Sequence, residues 1–196
     1  MLTCDAFYES GHDGTHVVYE TIEKALRMQV DAVKLLFMWG TIPSANASVI
    51  KAASKLMREA DHWDIPVILE PLLHPSIELA PKAKLSLISD AVRVSWELGA
   101  DILKIGYPGD DDLLARWVQT LNVPMIMLGG PQSGTLNQLL REIDLALKTG
   151  IRGVAVGRKV WQRAAEDVPT VVGAIRGLVH KKINLVDALK LVEHIR

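Results

Sequence analysis

Cysteine is almost absent. Cys4 is the single one among 196 residues, so no disulfide can form within the chain. One thiol fits a reducing compartment. Nothing in the sequence around Cys4 points to activation of the thiol, so it reads as a small residue of the first strand. An excess of either charge is also missing. The chain carries 22 Lys and Arg against 23 Asp and Glu, a formal net charge of -1. That balance gives no electrostatic case for nucleic acid, and the charges are interspersed rather than blocked. No apolar run approaches the roughly 18 residues of a membrane-spanning helix. The opening MLTCDAFYES has neither a basic segment nor a long apolar one, so no secretory leader is expected. No Pro/Gly/Ser linker or low-complexity stretch divides the chain. The expectation is one cytoplasmic globular domain over 1–196, with no membrane partner.

Short apolar runs alternate with amphipathic stretches. Strands are expected at Leu2–Phe7, Ala32–Met38, Pro66–Pro71, Asp101–Tyr107, Pro124–Leu128 and Gly153–Val156, each followed by a helix. Leu136, Leu139, Leu140, Ile143 and Leu147 form one helical stripe, and Leu85, Ile88, Val92 and Trp96 another. Asp110 and Thr135 read as N-caps, and Gly99 and Gly150 as helix stops. The tail from Val168 to Arg196 reads as two helices broken near Lys182–Asn184. Strands rich in Val, Ile and Leu, separated by helices, mean βα units and a parallel sheet.

Six βα units suit either an open doubly wound sheet or most of an eight-fold barrel. The open sheet binds ligands at one switch point; in a barrel every strand end faces one mouth. Lys34, Glu70 and Lys104 fall near the C-terminal ends of consecutive strands, and Gly129–Gly130 and Gly157–Arg158 follow the last two. Five consecutive ends with site-like residues need a common mouth, which favours the barrel. Barrel enzymes often bind phosphate after strands 7 and 8. That register makes the visible units 3 to 8 of a TIM-type barrel, with the first two missing. A barrel of six units leaves two strand edges unpaired, and a homo-oligomer is expected.

Lys104 lies inside the apolar run of "GADILKIGYPGD". A lysine amine turns nucleophilic when neutral near pH 7, through desolvation or a neighbouring cation, and Lys34 is a candidate neighbour. A neutral amine condenses with a ketone to a Schiff base, an electron sink for breaking the adjacent carbon–carbon bond. Glu70, after four apolar residues of "IPVILEPLLHP", suits general acid–base work, although a salt bridge to either lysine would oppose a neutral amine. Gly129, Gly130 and Gly157 let backbone N–H groups approach an anion, and Arg158 adds a guanidinium. The anion would be a phosphate; a sulfonate fits the same donors. Tyr107 is a candidate to line the mouth or carry a proton. Trp39 and Trp161 read as packing residues. "GHDGTH" brings His12, Asp13 and His16 together, but no second histidine pair supports a metal, and none is expected.

At these residues the sequence resembles the class I (Schiff-base) aldolases of the deoxyribose-phosphate and archaeal-type fructose-bisphosphate aldolase superfamily. "GADILKIGYPGD" is similar to the segment whose lysine forms the Schiff base, which implies that role for Lys104. "MLGGP" and "GVAVGRKVWQ" resemble the family's phosphate-binding loops. "DAVKLL" and "ILEPLLHP" look like the tagatose-bisphosphate and sulfofructose-phosphate branch, which implies that Lys34 and Glu70 assist. The fructose-bisphosphate branch usually offers a tyrosine in a "YPRG" segment, where this chain reads "PLLHPS". A first-strand aspartate in a "DHG" or "DQR" motif is also missing, consistent with the loss of two units. The resemblance implies cleavage of a phosphorylated ketose to a three-carbon ketone phosphate and an aldehyde, without a cofactor. The competing readings are a sugar-phosphate isomerase on the same barrel, and a shortened, inactive relative.

Overall fold

A computed structural model describes residues 1–10, 13–18, 20–129 and 134–195, with the backbone alone at 6–10 and 13–16. Two compact units form, Met1–Ile105 and Gly106–Arg196.

The first unit runs β1 (Leu2–Thr3), β2 (Asp5–Ser10), β3 (Asp13–Val18), α1 (Ile22–Arg27), β4 (Val33–Trp39), α2 (Pro43–His62), β5 (Val67–Leu73), α3 (Pro81–Glu97) and β6 (Ile102–Ile105). Its sheet is parallel in the order β1, β4, β5, β6. The registers include Thr3 with Lys34, Leu36 with Glu70 and Leu69 with Leu103. Successive strand side chains point to opposite faces. One face therefore holds Leu35, Phe37, Leu69, Leu103 and Ile105, all at most 1% exposed. The other holds Lys34, Leu36, Glu70 and Lys104. α2 packs on β4, and α3 on β5.

One expectation fails at the start of the chain. The run Leu2–Phe7 is not a single strand followed by a helix. The parallel strand ends at Cys4, whose N–H donates to Lys34 O and whose carbonyl accepts from Glu20 N–H. β2 and β3 then form an antiparallel hairpin, Asp5 with Val18 through Ser10 with Asp13.

Helix α2 buries Ala53, Leu56, Met57 and Ala60, an i, i+3, i+4, i+7 stripe. Its first turn also clasps the end of β4: Gly40 N–H donates to Asn46 Oδ1 at 2.9 Å, and Asn46 Nδ2 to Gly40 O at 2.8 Å. In α3 the buried face is Ala91, Val92 and Ser95, small residues that allow close approach to the sheet. Trp96, expected on that face, is 41% exposed. Gly99 then takes φ +93, a left-handed conformation that favours glycine.

The second unit runs α4 (Asp111–Leu121), β7 (Met125–Leu128), α5 (Leu136–Thr149), β8 (Gly153–Ala155), α6 (Arg158–Trp161), α7 (Val168–Val179) and α8 (Leu185–Leu191). β7 and β8 pair in parallel, Ile126 with Gly153 through Leu128 with Ala155. Asp110 caps α4 by accepting from Leu113 N–H at 2.8 Å. Thr135 and Gln138 form a reciprocal capping box on α5. The α5 stripe is Leu136, Leu139, Leu140, Ile143 and Ala146. Burying each leucine or isoleucine contributes about 1.5–3 kcal/mol. Leu147, expected on the stripe, is only half-buried, and Ala146 takes its place. The tail breaks where expected: Asn184 caps α8 by accepting from Asp187 N–H.

Candidate active site

Four charged side chains form one row across the sheet: Asp5 just past β1, Lys34 near the start of β4, Glu70 at the middle of β5 and Lys104 in β6. Lys34 and Glu70 therefore do not stand at C-terminal strand ends as expected, because both strands run on for several residues beyond them. Glu70 lies level with Leu36 across β4 and β5. Lys104 is one residue beyond the Leu69–Leu103 pair, so it stands beside Glu70. Its Nζ donates to Glu70 Oε2 at 3.1 Å. Lys34 starts two residues earlier on the same face, and its longer reach brings Nζ within 3.3 Å of the same Oε2. On its other side Lys34 donates to Asp5 Oδ1 at 3.3 Å. Asp5 Oδ2 accepts the Leu36 N–H at 2.5 Å. The side chains of Asp5, Lys34, Glu70 and Lys104 are 0, 7, 10 and 15% exposed.

The lysine in the apolar strand is thus accommodated by a buried carboxylate rather than by snorkelling to water. A carboxylate oxygen reaches both ammonium groups, and Lys34 is paired again with Asp5. The sequence suggested Lys34 as a repelling neighbour of Lys104; the geometry makes it an anchor that fixes Glu70. With all four groups ionised the row alternates in sign and sums to zero. A proton moved from Lys104 to Glu70 leaves that sum unchanged, and yields an amine beside a carboxylic acid.

Asp5 is the group that the sequence reading missed. Its signal is the one that marked Glu70: an acid closing a short apolar run, here "LTCD". Beside it, Cys4 is fully buried. Burial first, then the charges of Asp5 and Glu20, push its thiol up to about 11.

Tyr107 is held by its own unit. Its hydroxyl donates to Asp111 Oδ1 at 2.5 Å. Burial, then that bond and the charge of Asp111, push the phenol up to about 12. It remains a neutral phenol at physiological pH, a donor rather than a base. Trp39 stacks on Phe37, with centroids 5.3 Å apart.

The glycine loops play unequal parts. Gly129 N–H donates to Ala155 O at 3.1 Å, so it extends the β7–β8 ladder instead of facing an anion. A Cβ there would lie 2.9 Å from Val156 Cγ1, which explains the glycine by close strand approach. Gly157 is the N-cap of α6, and a Cβ on it would strike the Trp161 ring at 2.4 Å. Arg158 is exposed. Gly130 lies outside the described residues, as do His12 and the side chains of Asp13 and His16. Among the described residues, no cluster of His, Cys, Asp or Glu could hold a metal ion, and no helix is long and apolar enough to cross a membrane.

Parallel strands joined by helices, with a buried amine–carboxylate row across them, define a βα protein of the barrel class. The chain belongs to the DeoC/LacD family of aldolases, whose family model matches residues 5–163. It is 30% identical over 190 residues to an uncharacterized aldolase of Saccharolobus solfataricus, covering 95% of this chain and 68% of that one. It is similar to the crystal structure of an archaeal fructose 1,6-bisphosphate aldolase, with TM-score 0.77 and 27% identity over 92% of this chain and 71% of that one. It is also similar to an archaeal fructose-1,6-bisphosphate aldolase with its catalytic lysine covalently bound to the carbinolamine intermediate of the substrate. There the TM-score is 0.71 and the identity 28%, over 85% of this chain and 64% of that one. Other curated relatives are covered over 57 to 64% of their length. The fold is that of the TIM-barrel aldolases. The described residues hold six parallel strands of it, four in the first unit and two in the second.

Proposed function

We propose that this chain is a class I aldolase acting on a phosphorylated ketose, with Lys104 as the Schiff-base lysine. The observation that carries the reading is the contact of Lys104 Nζ with Glu70 Oε2 at 3.1 Å, in a buried row across the parallel strands. An amine that must both attack a carbonyl and shed water needs an acid–base group within hydrogen-bond reach.

Glu70 takes the proton of Lys104, and the free amine adds to the ketone carbon to give a carbinolamine. Glu70 returns the proton to the departing hydroxyl, and loss of water leaves the iminium. A base then removes the proton of the hydroxyl on the carbon beyond the scissile bond. That oxygen's electrons form the aldehyde carbonyl. The carbon–carbon bond breaks, and its electron pair passes into the iminium to give an enamine. Protonation on carbon and hydrolysis release the three-carbon ketone phosphate and restore Lys104. Glu70 is the acid–base group, while Lys34, tied to Asp5, holds the carboxylate where both proton transfers need it. For the phosphate, the loops at Gly129–Gly130 and Gly157–Arg158 are the sites that the family resemblance supports. Gly129 there supplies clearance rather than a donor.

Turnover of a panel of ketose 1-phosphates, read by reduction of the ketone phosphate product, tests the function. The wild type cleaves at least one member and Lys104→Met cleaves none. Cleavage that survives Lys104→Arg would overturn the reading.

A further inference from the structure

Strand β5 does not stop at Glu70. Its ladder with β4 runs one residue past Leu73, where the His74 N–H donates to Trp39 O at 2.8 Å. Alternation along the strand puts Glu70, Leu72 and His74 on one face. At about 3.3 Å per residue, His74 stands roughly 13 Å beyond Glu70 toward the C-terminal end, the side on which barrels bind their ligands. The neighbouring position on β4 is Gly40. A Cβ built there would lie 4.0 Å from His74 Cβ, so the glycine puts no side chain beside the ring.

The ring is held from behind. Ile77 N–H donates to His74 O at 3.0 Å, closing a turn with Pro75 and Ser76 at its centre. Pro75 fixes its own φ at a value that suits the second position of a turn. Ile77 is buried and anchors the far side. Within the turn, Ser76 Oγ lies 2.7 Å from His74 Nδ1, and Ser76 N–H donates to the same nitrogen at 3.3 Å. A backbone N–H only donates, so Nδ1 is an acceptor here. The neutral ring then carries its proton on Nε2, as a donor. A half-buried imidazole with its tautomer fixed is a preorganised donor, and preorganisation sharpens recognition.

We infer that His74 is a specificity residue, donating from Nε2 to a hydroxyl on the aldehyde half of the ketose. This rests on the aldolase reading. Lys104 stands level with Glu70 and holds the ketone carbon, so a group further along the same face meets the other end of the substrate. A neutral imidazole donor suits a hydroxyl oxygen, whereas a second phosphate is the ligand of cationic side chains. The substrate class is therefore a ketose 1-phosphate whose aldehyde half ends in a hydroxyl, in place of a bisphosphate. His74 takes no part in bond-making at Lys104.

The test uses the full chain and three substrates: a hexulose 1-phosphate, its 6-deoxy analogue and the 1,6-bisphosphate. Cleavage is read as kcat/KM for the wild type, His74→Ala and His74→Gln, alongside borohydride trapping of dihydroxyacetone phosphate, which lacks the aldehyde half. The wild type favours the 1-phosphate over its 6-deoxy analogue by at least about tenfold, and over the bisphosphate as well. His74→Ala brings the 1-phosphate down to the level of the 6-deoxy analogue. His74→Gln, which keeps an amide donor, restores part of the preference, and both variants still trap dihydroxyacetone phosphate. A wild type that cleaves none of the three overturns the proposal; if it also traps nothing, the aldolase reading falls with it. A wild type that treats the 1-phosphate and its 6-deoxy analogue alike, or prefers the bisphosphate, overturns the role of His74 alone. So does a preference that His74→Ala keeps, or trapping lost in both variants, which would make the ring part of the fold.

Discussion

Replacing Lys34 by methionine keeps the stem's bulk and deletes the charge that joins Asp5 to Glu70. Both carboxylates are buried, at 0 and 10% side-chain exposure, and each loses a contact of 3.3 Å. Removing one partner of a buried ion pair costs about 3–5 kcal/mol. Glu70 keeps Lys104 at 3.1 Å and Asp5 keeps the Leu36 N–H, so the lower end applies, about 3 kcal/mol. For a chain of this length each kcal/mol moves Tm by about 2–4 °C, so Lys34→Met should melt about 6–12 °C lower. The double variant Asp5→Asn/Lys34→Met removes the stranded charge and should recover about 1–2 kcal/mol of the loss, a coupling that a double-mutant cycle isolates. The assay is denaturant unfolding of the four proteins, with the slopes compared to confirm that stability alone has changed. A loss under about 1 kcal/mol in Lys34→Met, with additive effects in the double variant, would refute the buried row.

Two further outcomes follow from the same site. Glu70→Gln keeps the shape and removes the acid–base function, so kcat on a cleaved ketose phosphate should fall about 10²–10⁴-fold; a fall under about tenfold would remove Glu70 from the chemistry. Cys4, held neutral by burial, should resist alkylation in the native protein at pH 7.5. Its folded pKa of about 11 lies above the ordinary 9.0, so the unfolded chain releases the proton first. The stability Cys4 contributes is therefore complete below about pH 9 and is lost as pH rises through about 11, which unfolding curves across that window measure. Fast labelling at pH 7.5 would contradict the burial.

Most of the frame was legible because polar residues stand out against apolar strands. Lys34, Glu70 and Lys104 each interrupt a run that should be wholly buried, and the in-register parallel strands turn that shared oddity into a spatial row. Asp110 and Thr135 were legible as caps because side-chain chemistry at a helix start is local. The missed features depend on tertiary pairing. Asp5 closes a run of only three apolar-compatible residues before the chain reverses into a hairpin, so its length did not mark it as a strand end. Gly129 looked like an anion donor, but its N–H belongs to the ladder with Ala155, a partner brought close by the intervening helix. Trp96 fitted a helical stripe by spacing, yet the small side chains of Ala91 and Ser95 decide which face meets the sheet.

Covalent trapping shows which lysine forms the iminium. The full chain is incubated with dihydroxyacetone phosphate and sodium borohydride, digested, and its peptides weighed. Reduction of an iminium should add the ketone phosphate to the peptide containing Lys104, with no adduct in Lys104→Met. An adduct on Lys34 or another lysine, or a folded protein that acquires none, would contradict Lys104 as the Schiff-base lysine.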